Sequence, residues 1–194
     1  MLRYIFLIVF FFLNYIPIAS AEDWKEVGWW SVGPLDNDDK NNCRMYADYN
    51  NVGLEFYLDY SDETKVYEFE IISQNWKSLV DDEEYVLDIE FDQDLWTLPT
   101  IARIMEAENK KYFGLYASSK SSKMKEFVGD FQKSNSIKIS FENNEVAHLN
   151  LKDTFRAVEE LKACAKRRNT QTKINDPFAN KTKPKQPLKL DPFR

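Results

Sequence analysis

The residues of this 194-residue chain that could do chemistry are 32 carboxylates, one histidine, His148, and two cysteines, Cys43 and Cys164. Two acidic runs, Asp36-Asn37-Asp38-Asp39 and Asp81-Asp82-Glu83-Glu84, crowd the hard oxygens that calcium prefers. In the first run Lys40 stands where a calcium loop needs its fifth residue to be a ligand, and Asn41 where it needs glycine, so solvated turns are the simpler reading. Carboxylates from Glu55 through Asp92 could supply the acid and base of a glycosidase. With 30 acidic residues between Glu22 and Cys164, however, some pair falls at that spacing by chance. His148 rules out histidine-rich metal sites and leaves one nucleophilic pairing, with Cys43 or a serine. No nucleophile, base and stabiliser gather around it, so the chain reads as non-catalytic and without a cofactor. Trp29, Trp30, Trp76 and Trp96 flank strand segments, where core packing is favoured over sugar stacking, and Trp24 stands apart from them.

The compartment decides how the cysteines behave. Arg3 precedes an apolar run from Tyr4 to Leu13, Pro17 breaks it, and Ala19-Ser20-Ala21 offers a cleavage site, which predicts a signal peptide over residues 1–21. That run is shorter than a spanning helix needs, so no transmembrane helix is expected after cleavage and the location is periplasmic or secreted. An oxidising compartment favours pairing Cys43 with Cys164 as a structural staple. A catalytic dithiol would need closer spacing, and a zinc site more ligands.

Charge divides the chain. From Glu22 to Cys164 there are 16 basic against 30 acidic residues, a net of −14, while Ala165 to Arg194 nets +7. An acidic exported body disfavours nucleic acid as a partner. After Lys166-Arg167-Arg168 the composition turns rich in lysine and proline, and we expect a disordered basic tail over 169–194 behind an α+β domain over 22–168. Two Asp-Pro-Phe copies, Asp176-Pro177-Phe178 and Asp191-Pro192-Phe193, are candidate docking elements in it.

These features need a scaffold, and the pattern of the body supplies one. Leu54, Phe56, Leu58 and Tyr60 alternate with polar residues, as do Tyr67, Phe69 and Ile71, and then Tyr85, Leu87, Ile89 and Phe91. One covered and one wet face is the expectation, with Glu68 and Glu70 pointing out. Further strands are expected at residues 29–32, 43–49, 100–106, 111–117, 137–141 and 146–151, with a turn at Asn143-Asn144 between the last two. Helical spacing joins Met124, Phe127, Val128 and Phe131 behind a Ser121-Ser122 cap, and joins Phe155, Val158, Leu161 and Cys164 or Ala165 behind Asp153. The fold class is α+β: an antiparallel sheet or sandwich-like body with two late helices, the last tied by the disulfide.

Trp29-Trp30, Cys43-Arg44-Met45-Tyr46, Ser73-Gln74-Asn75-Trp76, Tyr85 to Asp92, Val146 to Leu151 followed by Phe155 to Cys164, and Asp176-Pro177-Phe178 follow one another in order. In this the chain resembles a group of exported, single-disulfide alphaproteobacterial proteins and is distantly similar to the invasion-associated locus B family. It differs in having one possible disulfide where that family has further cysteines, and Lys152-Asp153 where the group carries a glycine-serine pair. The resemblance implies fold and export and brings no catalytic residues. The expected function is an exported interaction domain that binds a protein or an anionic envelope component. The alternatives are an inhibitor of a cationic secreted or periplasmic hydrolase, and an envelope-glycan enzyme.

Overall fold

The computed structural model describes residues 24–35, 42–50, 53–105 and 110–175. The signal segment 1–21, the Asp36 to Asp39 run and the tail elements at 176–178 and 191–193 lie outside the described residues. Among the described residues there are ten strands: β1 (Lys25–Val27), β2 (Trp30–Pro34), β3 (Asn42–Tyr49), β4 (Leu54–Ser61), β5 (Val66–Ser73), β6 (Glu84–Phe91), β7 (Asp94–Met105), β8 (Lys110–Ser118), β9 (Ser136–Phe141) and β10 (Asn144–Asn150). Helix α1 (Ser122–Lys133) lies between β8 and β9, and α2 (Thr154–Asn175) follows β10. All strands join one sheet in the order β1-β2-β3-β4-β5-β8-β7-β6-β9-β10, and every pairing is antiparallel. The meander β6–β7–β8 is thus inserted in reverse, and α1 carries the chain from β8 across to β9 beside β6.

Period-two alternation sends one set of side chains to the helices. Phe56, Phe69, Leu87, Ile89, Phe91, Ile137 and Ile139 are buried there. Phe127 of α1 meets Phe69, Phe91 and Trp96 edge-on, while Phe131 stacks on Phe56 and meets Trp30 edge-on. Ser121 caps α1 as expected, its Oγ accepting from the Met124 N–H. In α2 the buried stripe is Ala157, Val158, Leu161, Cys164 and Ala165. The Cys43–Cys164 disulfide, with Cα atoms 6.1 Å apart, ties that helix to β3.

Several expectations are corrected. Trp29 is 70 % exposed and Phe155 59 % exposed, so neither joins the core. Trp29 occupies the β1–β2 turn, and at about 100° per residue Phe155 lies roughly 120° around α2 from the centre of its buried stripe. The strand expected from residue 100 begins at Asp94. Pro99 argues against a strand there, yet β8 pairs with β7 only from Ile101 onward, so Pro99 sits where the ladder is one-sided. The last hairpin turns one residue early: Glu142 and Asn143 both have positive φ, and Phe141 pairs with Asn144. Asp153 takes a left-handed φ of 65° ahead of α2, and its carboxylate engages Arg156. Helix α2 continues past Arg168 to Asn175, held by Asn169 Nδ2 donating to Asp62 at 2.6 Å, so the domain extends beyond the expected boundary.

Gly28 closes the β1–β2 turn with φ +66°, and a Cβ there would lie 2.2 Å from Asp153 Oδ2. Gly28→Ala is expected to cost about 1 to 3 kcal/mol through left-handed strain and the displaced contact. Chemical denaturation measures it, and an unchanged midpoint would contradict the tight approach.

Candidate binding surfaces on the outer sheet face

The face turned away from the helices is built from rows of residues directly opposite one another. One row runs Arg44, Asp59, Glu68, Tyr116, and the next runs Tyr46, Tyr57, Glu70, Gly114, Ile101. Neighbours in such rows interact directly. Two carboxyl groups, Asp59 and Glu70, therefore converge on one guanidinium, with Glu68 bonded to Glu70. Arg44 donates from Nε and Nη2 to the two oxygens of Asp59, both at 2.7 Å, and Nη2 stands 3.5 Å from Glu70 Oε2. Its Cζ lies 4.4 Å from the centre of the Tyr57 ring, which in turn stacks on Tyr46. The Tyr116 ring fills the space above Gly114, where a Cβ would meet it at 2.9 Å.

The expectation of a uniformly wet face therefore fails here: Asp59 is 5 % and Glu70 7 % exposed. Burial, reinforced by a hydrogen bond to Glu68, pushes the Glu70 carboxyl up to about 8. At neutral pH Glu70 thus keeps its proton. Burial works against the Arg44 charge, but the Asp59 hydrogen bonds outweigh it and the guanidinium stays ionised. Burial and the bond to Glu68 raise the Tyr116 phenol, which keeps it a donor. One proton and one arginine offset two of the three carboxyls of Asp59, Glu68 and Glu70, which leaves the cluster one net negative charge.

Next to this cluster the outer face turns apolar. Val86, Leu95, Ile101 and Tyr116 are exposed, with Val86 opposite Pro99 and Ile101 opposite Gly114. Strand β6 adds the outward residues Asp88, which accepts from Thr97, and Glu90, 3.8 Å from Lys138.

On the helix-facing side an aromatic cleft of about 260 Å³ opens among Trp76, Tyr85, Phe113 and Phe141. Lys111 Nζ holds its rim by donating to the carbonyls of Lys77 and Leu79 at 2.6 and 2.8 Å. Trp76 and Trp96 line partly buried core margins, and Trp96 Nε1 donates to Asp130.

The other residues singled out by type are dispersed. His148 is exposed on β10 opposite Lys138, while Cys43 is closed in the disulfide. In the second acidic run Asp81 accepts from the Ile104 N–H and Asp82 pairs with Arg103, so these side chains serve a turn. Among the described residues no three His, Cys, Asp or Glu side chains form a metal-binding group. The Arg44 cluster is the feature that sequence reasoning missed. Its only trace is the recurrence of Arg, Asp, Glu and Tyr at outward positions of consecutive strands.

No family model, curated protein or solved structure matches the chain.

Proposed function

We propose that this chain is an exported, non-catalytic interaction domain whose outer sheet face engages a cationic protein surface. The observation that carries this is the union, on one face, of the part-exposed carboxyls Glu68, Asp88 and Glu90 with exposed Val86, Leu95, Ile101 and Tyr116. Apolar contact supplies affinity and the acidic border supplies orientation and selectivity. Inhibition of a cationic hydrolase is a special case of the same reading. The glycan-enzyme alternative gains nothing from the pair in the cluster. Glu68 and Glu70 are in hydrogen-bond contact, whereas glycosidase carboxyls stand about 5 Å or more apart. Export is supported by the disulfide, and no helix among the described residues is long and apolar enough to cross a membrane. The Asp-Pro-Phe elements are proposed as additional docking points, carried on a chain that leaves α2 beyond the Asn169–Asp62 contact.

Binding of a cationic probe protein, lysozyme, should weaken steadily as salt rises. The variant Glu68→Lys, Leu95→Lys should bind about tenfold more weakly, because it reverses one charge and removes one apolar contact. Equal binding by this variant at every salt concentration would rule out the outer face.

A further inference from the structure

We propose that the pole formed by the β1–β2 turn and the start of α2 docks on an anionic lipid bilayer. Two of the most exposed large apolar side chains of the described residues lie on the two segments of this pole, Trp29 at 70 % and Phe155 at 59 %. The fold brings those segments together: a Cβ on Gly28 would strike Asp153, and Trp30 Nε1 donates to the Lys152 carbonyl at 3.1 Å. The neighbouring open cleft, about 440 Å³, is lined by Lys133, Asn135, Lys152, Phe155 and Arg156. Lys133 and Lys152 have no ion-pair partner among the described residues. Arg156 is paired with Asp153 at 3.2 Å and Asp92 accepts from Asn135 and Ser136, so Lys133, Lys152 and Arg156 stand against two carboxylates at this pole, on a body that nets −14 between Glu22 and Cys164.

That combination is chemically specific. A tryptophan at a turn tip prefers the headgroup level of a bilayer, where its ring is half apolar and its N–H stays solvated. Phe155 beside it supplies a second group to enter the acyl boundary, and lysines around the two reach anionic headgroups while their stems lie on apolar surface. A protein surface is the less fitting occupant, because an acidic body seeks cationic partners through its outer face and shows the opposite sign here. Docking at this pole leaves the outer face directed to its own partner, so the two sites operate together, and this inference stands on different residues from the function proposed above.

The test uses the chain from Glu22 with sedimentation on vesicles of phosphatidylcholine alone or mixed with phosphatidylglycerol. The chain is expected to bind the anionic vesicles, with salt-sensitive affinity, and to leave the neutral ones. Lys133→Glu with Lys152→Glu should reduce binding more than tenfold, since each lysine near an anionic surface contributes roughly fivefold. Trp29→Ala with Phe155→Ala should also reduce binding about tenfold, with an unchanged thermal midpoint because both side chains are exposed, and with undiminished binding of lysozyme. A chain ending at Asn175 should retain most of its vesicle binding. If that truncation abolishes binding while the Trp29 and Phe155 substitutions leave it intact, the tail is the membrane element and the proposal fails. Equal affinity for neutral and anionic vesicles also overturns it.

Discussion

Replacing both Cys43 and Cys164 by alanine is expected to lower the unfolding free energy by about 3 to 5 kcal/mol. The bridge spans 121 positions, and closing a loop of that length removes on the order of 5 kcal/mol of chain entropy from the unfolded state. Both cysteines are buried, and the bridge fastens α2 where that helix covers β2 and β3. Without the link, α2 is held by the Ala157, Val158, Leu161 and Ala165 stripe and by polar ties such as Lys25 to Glu160 at 2.7 Å. Exposed ion pairs of that kind contribute little. Urea unfolding of the oxidised, reduced and alanine forms measures the effect. A rise in the denaturant slope is expected alongside the fall in midpoint, because the unlinked chain unfolds to a more expanded ensemble. Identical midpoints for all three forms would show that the bridge contributes no stability.

The sheet was legible where one face is apolar and the other polar. Strands β4, β5 and β6 carry Phe56, Phe69 and Ile89 inward at period two, and their register follows from that alternation alone. Helix α1 was legible for the same reason, since Phe127, Val128 and Phe131 can share a face only at helical spacing. The strand order was not, because the reversed β6–β7–β8 insertion is a matter of which edges meet and leaves no local pattern. Trp29 and Phe155 were assigned to the core because large apolar groups are usually buried. They face solvent because Gly28 and Asp153 bring their two turns together at the margin of the core. The Arg44 cluster was hidden by the opposite bias. Asp59 and Glu70 occupy outward positions, and only the pairing of four consecutive strands brings an arginine and tyrosines over them.

That cluster makes the second large prediction. Arg44→Met is expected to destabilise the protein by about 3 to 5 kcal/mol at neutral pH, because it leaves the Asp59 carboxylate buried without its bidentate partner. The pH dependence separates this from a loss of packing. Glu70 titrates near 8 in the folded protein, above its ordinary carboxyl value, through burial and then its bond to Glu68. Between that ordinary value and about 8 the folded state therefore binds more protons than the unfolded state, so this group's contribution is fully present in acid and is lost as pH rises through 8. The wild-type protein should accordingly lose on the order of 3 kcal/mol from this group between about pH 5 and 8. Glu70→Gln keeps a donor for Glu68 and removes the titration, so its stability should stay flat across the same window. Arg44→Met should steepen the fall, since a neighbouring cation no longer favours the ionised carboxyls, and its deficit should shrink toward pH 5 as Glu70 is fully protonated. Stability of the wild type, both single variants and the double variant, followed from pH 5 to 9, resolves these slopes. A deficit for Arg44→Met that is the same at every pH, and unaffected by Glu70→Gln, would mean that Arg44 acts by covering Tyr57 and not by balancing the carboxyls.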